Sequence, residues 1–184
     1  SRAKDMLVPP EEFINLGSGN YREKQIGECY AKYQKLLKNA DAMDFDDIIF
    51  YTVKLLQENV DVREYYQNKF KYVLVDEYQD TNHAQFVLTK LLSEGYNNIC
   101  VVGDDDQSIY KFRGATIENI LSFEKNFRNA QTIRLEQNYR STSVILDAAN
   151  AVIKNNQGRK GKTLWTEKEG GDKIVVRILN DERD

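Results

Sequence analysis

Two short apolar runs, each ending in a cluster of acids, constrain this chain more than any other feature. Tyr72-Val73-Leu74-Val75 runs into Asp76-Glu77-Tyr78-Gln79-Asp80, and Ile99-Cys100-Val101-Val102 runs into Gly103-Asp104-Asp105-Asp106-Gln107. A short run of bulky apolar residues between polar flanks predicts a strand buried on both faces. Between the runs, Asn82 is placed to cap a helix with apolar positions Phe86, Leu88, Leu91 and Leu92, and Gly95 is placed to end it. Strands alternating with helices predict an α/β fold with a parallel sheet. Ligands of such sheets sit outside the carboxyl ends of the strands. Both acidic clusters therefore fall at the edge where chemistry is expected.

The segments before the first run read as helices. Pro9 and Pro10 are the only prolines, and Pro10 suits a first helical turn with Glu11 and Glu12 near its positive end. Ile26, Tyr30, Tyr33 and Leu37 recur at helical spacing from Tyr21 onward. Asp44 is placed as an N-cap, with Asp46 and Asp47 in the first turn of a helix through Ile48, Ile49, Val53, Leu55 and Leu56. Lys32, Lys35 and Lys38 form a solvated helix face. Further along, the pattern predicts a helix over Ala115 to Phe127, a short strand over Thr132 to Leu135, and a helix capped by Ser141 and running to about Asn155. A basic loop, Arg159 to Lys162, and a strand over Lys173 to Leu179 follow.

Composition excludes several classes. The chain has 184 residues with 26 Lys and Arg against 29 Asp and Glu, a net charge of −3. That balance rules out a whole-surface basic footprint but leaves room for a local nucleic-acid groove. An aromatic content of 11% supplies core material and excludes a disordered acidic tail. No apolar run approaches the roughly 20 residues that span a bilayer, so no membrane association is expected. No Lys-flanked apolar segment with a cleavage site stands at the start of the sequence, so a secretory signal is not expected. Cys29 and Cys100 have no CxxC partner, and His83 is the only histidine, so the ligands of a structural zinc site are lacking. Cys100 is expected to be a buried thiol, and a reducing cytoplasm fits this usage.

Acids after one strand are commonly solvated loop residues. Two clusters at one sheet edge point instead to a hard cation, because Mg²⁺ prefers carboxylate and water oxygens completed by substrate phosphates. An Asp at a strand end followed by Glu, as in Asp76-Glu77, is the Walker B arrangement of nucleoside triphosphatases. Tyr110-Lys111-Phe112-Arg113 alternates aromatic and basic residues. In an extended segment this sets two rings on one side and two cations on the other. The pattern suits single-stranded DNA, with bases on rings and phosphates on cations, and it suits an amphipathic edge strand equally well. Arg140 precedes the Ser141 cap, where a cation is unfavourable without an anion nearby, although a long side chain can also reach solvent there. Gln107 alone reads as an ordinary polar turn residue, and Tyr139 alone fits a core position.

Three longer stretches carry a family resemblance. Val75-Asp76-Glu77-Tyr78-Gln79-Asp80-Thr81-Asn82 resembles motif II of the UvrD/Rep/PcrA branch of superfamily 1 DNA helicases. The stretch from Val102 to Ala115 resembles its motif III, and Leu135-Glu136-Gln137-Asn138-Tyr139-Arg140-Ser141 its motif IV. Met43 to Ile48 and Thr163 to Thr166 match as well, so the resemblance covers nearly the whole chain. It implies a RecA-like, P-loop NTPase-type parallel sheet flanked by helices, with ATP and Mg²⁺ as cofactors. It also implies roles. Asp76 holds the magnesium together with Glu77, and Glu77 is the base that activates water. Gln107 touches the γ-phosphate, Tyr139 stacks on adenine, and Arg140 reaches the γ-phosphate from a second RecA-like domain. Tyr110, Phe112 and Arg113 contact single-stranded DNA. Phe112 stands where many relatives have Trp, and Asp105 where a small residue is common.

The family's phosphate loop does not occur in this sequence, since the Gly161-Lys162-Thr163 triplet lacks the motif's first glycine. The resemblance therefore implies an incomplete sheet with an N-terminal helical piece. Residues 1–43 are expected to end an inserted helical subdomain. Residues 44–132 would be the second part of a first RecA-like domain, and 133–184 the start of a second. The expected parent is an ATP-dependent translocase that moves 3′ to 5′ on single-stranded DNA and at single/double-strand junctions, in repair or replication. A helicase–nuclease subunit is one alternative, and a non-catalytic nucleic-acid-binding module is another. The isolated chain is expected to lack ATPase activity and to self-associate through an exposed sheet edge.

Overall fold

Helices α1 (Arg2–Asp5), α2 (Pro10–Leu16) and α3 (Tyr21–Asn39) open the chain. The computed structural model describes residues 2–17, 19–156 and 161–177. Pro10 stands in the first turn of α2, with Glu11 and Glu12 beside it. Its missing N–H costs nothing there, because no intrahelical partner exists. The Asn20 side chain caps α3 by accepting the Arg22 N–H at 3.0 Å. Gly27 lets α2 approach α3 closely, since a Cβ at that position would stand 2.6 Å from Ile14 Cγ1. The Phe13 ring meets Tyr30 edge-on beside it, with centroids 6.3 Å apart.

Helix α4 (Phe45–Glu58) starts at the expected Asp44, in a full capping box. The Asp47 N–H donates to Asp44 Oδ1 at 2.8 Å, and the Asp44 N–H donates back to Asp47 Oδ2 at 3.2 Å. Phe50, Val53 and Leu56 form its buried face. Helix α5 (Val60–Lys69) leads into strand β1 (Val73–Val75). Helix α6 (His83–Ser93) then crosses to strand β2 (Ile99–Val101). Asn82 and Gln85 form a second capping box at the start of α6. The strands pair in parallel, with Val73 opposite Ile99 and Val75 opposite Val101. Helix α6 packs against α4, α5 and β1.

The sheet departs from expectation in its burial. Val73, Val75, Ile99 and Val101 are half-buried, but Leu74 is 76% exposed and its register partner Cys100 is exposed as well. Side chains alternate between the faces of a strand, so these two belong to a face that the described residues leave uncovered. Cys100 is therefore not the buried thiol expected. Among the described residues the sheet has two strands.

The segment expected to be one helix from Ala115 to Phe127 forms two short helices, α7 (Glu118–Leu121) and α8 (Phe123–Asn126). They are interrupted at Ser122, whose hydroxyl bonds back to the Glu118 carbonyl. Such back-bonding competes with the helical ladder. The chain divides into two compact units, Ser1–Ser122 and Phe123–Asp184. In the second unit, helix α9 (Ser143–Ile153) starts after Thr142 rather than Ser141. Asn138 Oδ1 accepts the N–H groups of both Arg140 (2.9 Å) and Ser141 (2.8 Å), which holds Ser141 in the turn before the helix. Asn150 of α9 clamps Leu164, donating to its carbonyl at 2.8 Å and accepting its N–H at 3.2 Å. Thr132 to Leu135 is irregular, and Gln137 pairs instead with Trp165 in an isolated parallel bridge. Residues 173–177 form no strand, and the rest of that expected strand lies outside the described residues, as do the first two positions of the basic loop, 159 and 160.

A buried cation joins the opening helices. Lys4 is 2% exposed, and its ammonium lies 2.7 Å from Asp44 and 2.9 Å from Asp47. Tyr33 donates to Asp44 at 3.0 Å, and Gln34 to Asp47 at 2.8 Å. Burial acts to raise the Asp44 carboxyl, but hydrogen bonds from Lys4, the Asp47 N–H and Tyr33 outweigh it and hold the group below its ordinary value. Its contribution to stability is complete above that ordinary value of 3.8 and is lost as the pH falls through the lower folded value. Replacing Lys4 by Met is expected to cost about 3 kcal/mol at neutral pH, as for other broken buried ion pairs. Urea melts at pH 7 and pH 3 check this, and the variant's deficit is expected to shrink at the lower pH.

Candidate functional site

The backbone ladder continues past both strands and pins the two acidic turns side by side. The Val102 N–H donates to the Val75 carbonyl at 2.8 Å, and the Tyr78 N–H donates to the Val102 carbonyl at 3.0 Å. Asp76 and Glu77 emerge exposed at the end of β1. Asp76 Oδ1 accepts the Glu77 N–H at 2.8 Å. Glu77 has φ 50° and ψ 41°, the left-handed region. A residue with a Cβ incurs about 1–2 kcal/mol there, and such strain is concentrated at functional sites. A single 3₁₀ turn, Tyr78–Asp80, follows. Tyr78 is completely buried, and burial pushes its phenol up to about 12. It remains neutral at any physiological pH.

The second acidic turn is another 3₁₀ turn, Asp105–Gln107, capped by Asp104, whose side chain accepts the Asp106 N–H at 3.0 Å. Gln107 is exposed, and its carboxamide donates to Asp104 Oδ2 at 2.7 Å. Carboxylate oxygens of Asp104, Asp105 and Asp106 lie within 4.8 Å of one another. The turns touch through Gln79, which is 1% exposed. Its Nε2 donates to Glu77 Oε2 at 2.8 Å and to Asp80 Oδ2 at 3.3 Å, and its Oε1 accepts the Asp104 N–H at 2.9 Å. Gly103 is needed for this approach, because a Cβ there would stand 2.6 Å from Gln79 Oε1 and 2.9 Å from Ile120. Sequence reasoning passed over Gln79 and Gly103. The available signal was a glycine directly behind a strand, which marks close approach by a neighbouring chain segment.

Tyr110, Phe112 and Arg113 come together, but not as an extended segment. Lys111–Arg113 is a 3₁₀ turn ended by Gly114 at φ 87°. The two rings stand 6.0 Å apart and tilted, and the Arg113 guanidinium sits 5.3 Å from one ring centroid and 5.6 Å from the other. The cation and the π faces therefore share one locus instead of opposite sides. Phe112 is 79% exposed. Tyr110 and Arg113 also line a groove of ≈ 290 Å³ with Asp80, Asn82 and Gln85.

Tyr139 and Arg140 belong to the second unit, in the turn organised by Asn138. Both are exposed. The Tyr139 hydroxyl donates to Gln137 Oε1 at 2.8 Å, and Lys168 donates to the Tyr139 carbonyl at 2.6 Å. Arg140 lies three residues before α9 rather than directly before its cap.

Comparison with known proteins covers nearly the whole chain. The family model described as the UvrD/REP helicase N-terminal domain matches residues 1–128, and that described as the UvrD-like helicase C-terminal domain matches residues 133–184. The chain is 56% identical over 174 residues to the ATP-dependent DNA helicase PcrA of Bacillus subtilis, covering 95% of this chain and 23% of that protein. It is 55% identical to PcrA of Staphylococcus aureus and 51% to that of Staphylococcus epidermidis, covering 100% of this chain and 25% of each relative. The chain thus spans about a quarter of the length of the curated relatives it matches. Among the described residues no helix is long and apolar enough to cross a membrane. Motifs, order and whole-chain identity lead to one conclusion: the chain belongs to the UvrD/Rep helicase family.

Proposed function

We propose that this chain is the central section of an ATP-dependent DNA helicase that couples Mg-ATP hydrolysis to 3′-to-5′ movement on single-stranded DNA and to duplex unwinding at junctions, in repair or replication. The observation that carries the proposal is the parallel β1–β2 pair. It holds Asp76-Glu77 and Asp104–Gln107 at adjacent carboxyl ends, where α/β sheets bind nucleotides. The donor chemistry fits magnesium, since Asp76, Glu77 and the Asp104–Asp106 turn offer hard carboxylate oxygens, although the mutually close set is Asp104, Asp105 and Asp106. Asp76 and Glu77 would hold the ion, which when bound neutralises charge on the transferring phosphoryl group.

Glu77 accepts the proton of the attacking water, and its exposed carboxylate has room for one. Gln107 contacts the γ-phosphate. Tyr139 stacks on the adenine and Arg140 supplies a transition-state cation, as arginine fingers do. Tyr110, Phe112 and Arg113 hold single-stranded DNA by stacking and charge. The family models meet between residues 128 and 133, which supports a boundary near 132 between two RecA-like domains. Residues 1–43 are then the tail of an inserted helical subdomain. The free thiols Cys29 and Cys100 support a reducing, cytoplasmic setting.

In a full-length protein carrying this sequence, Glu77→Gln is expected to reduce ATP turnover at least about 100-fold while leaving nucleotide affinity near wild type. Arg140→Ala is expected to reduce hydrolysis about 10³-fold, within the range of arginine fingers. Steady-state ATPase rates together with equilibrium nucleotide binding check both. Wild-type turnover in either variant removes that residue from the site.

The isolated 184-residue chain is expected to self-associate, because Leu74 and Cys100 leave an apolar sheet face open and each strand has a single partner among the described residues. Sedimentation velocity checks this, and a monodisperse monomer across a hundredfold concentration range, roughly, would contradict it.

A further inference from the structure

Gln79 is one of the most completely buried side chains in the described structure, yet it has no part in the chemistry assigned above. Its carboxamide orientation is dictated by its neighbours. Carboxylates only accept and a backbone N–H only donates, so the end facing Glu77 and Asp80 must be the NH₂, and the end facing Asp104 must be the oxygen. One planar group therefore spans both acidic turns. From it, a chain of hydrogen bonds runs from Glu77 through Gln79 to the Asp104 backbone. The Asp104 carboxylate extends it to the Gln107 carboxamide at 2.7 Å.

Two further features keep this bridge in place. Tyr78, completely buried, anchors the turn from behind, and Gly103 gives the Gln79 oxygen room to reach Asp104. The Glu77 carboxylate is exposed, and the hydrogen bond from Gln79 gives it a fixed contact.

The geometry points to Gln79 as a positioning residue that aims the Glu77 carboxylate and locks it to the Asp104–Gln107 turn, so that the hydrolytic end and the phosphate-contacting end of the site move as one piece. The inference rests on the roles proposed above for Glu77 and Gln107. It adds a mechanical link between them within a single unit of the chain.

The test uses a full-length protein carrying this sequence and two near-isosteric variants. Gln79→Met removes every polar contact of the side chain, whereas Gln79→Glu keeps an acceptor for the Asp104 N–H and replaces the bond donated to Glu77 by repulsion between carboxylate oxygens. Both are expected to lower kcat for ATP hydrolysis about 100-fold, the penalty for a misplaced catalytic group, with KM for ATP within about threefold of wild type. Hydrogen exchange in the nucleotide-free protein provides a readout independent of turnover. The peptide covering residues 103–107 is expected to exchange faster in Gln79→Met and at the wild-type rate in Gln79→Glu. In combination with Gln107→Ala, the Gln79→Met effect on kcat is expected to be less than multiplicative, as for residues acting in one network.

Either variant with near-wild-type kcat, or unchanged exchange at 103–107 in Gln79→Met, overturns the inference, as do multiplicative effects in the double variant. Should Gln79→Met fail to fold, the kcat of Gln79→Glu decides the matter alone, and near-wild-type turnover in it overturns the inference. The Glu77→Gln variant separates the two layers. If it retains turnover, the base assignment fails and the positioning role fails with it. If it is inactive while the Gln79 variants are normal, only the positioning role fails.

Discussion

The parallel pairing of β1 with β2 is the contact on which the rest of the first unit depends. Parallel neighbours need a crossover, and α6 provides it, fixed at its start by the Asn82–Gln85 box. Because both strands run the same way, whatever follows each of them emerges at the same edge. The register places Val75 opposite Val101, so Asp76 and the residues after Val102 begin their turns almost level. Slipping the register by one residue would turn every side chain of the slipped strand to the opposite face, and the Gln79 contact with Asp104 would be lost.

The opening helices serve that pairing from a distance. Lys4 binds the cap of α4, and Asp5, the next residue, accepts from Asn82 at the cap of α6 at 2.8 Å. One short helix thus ties the starts of two longer ones. Asn119 of α7 adds a tie on the other side of the turn, donating to the carbonyl and hydroxyl oxygens of Thr81 at 3.1 Å each. The acidic turn after β1 is held at its far end by polar contacts that water cannot replace cheaply, since the groups involved are largely buried.

What could be read in the sequence was whatever a few neighbouring residues decide. Asp44 and Asn82 announce helix starts because a cap and its N3 partner lie three positions apart. The apolar runs before Asp76 and Gly103 announce strands for the same reason. Burial of those strands is not legible in the run itself, because whether Leu74 and Cys100 are covered depends on distant segments. Tyr110 to Arg113 was expected to be extended from its alternation, and the tertiary setting coils it into a turn ended by Gly114. The Lys4 cluster needs three segments and leaves no local trace, and the Gln79 bridge needs a register, its one local mark being Gly103 directly behind the second strand. For the candidate site, the motif residues at the strand ends were legible, whereas the side chain joining them was not.

The left-handed backbone at Glu77 has a consequence for how this loop can change. Glycine adopts that conformation without the steric penalty of a Cβ, so the simplest substitution that relaxes the loop is also the one that removes its carboxylate. Firmness and reactivity therefore pull in opposite directions at this single position. A stabilised form of the chain would have to gain its rigidity elsewhere, at caps and in the helical layer, and leave this turn under tension.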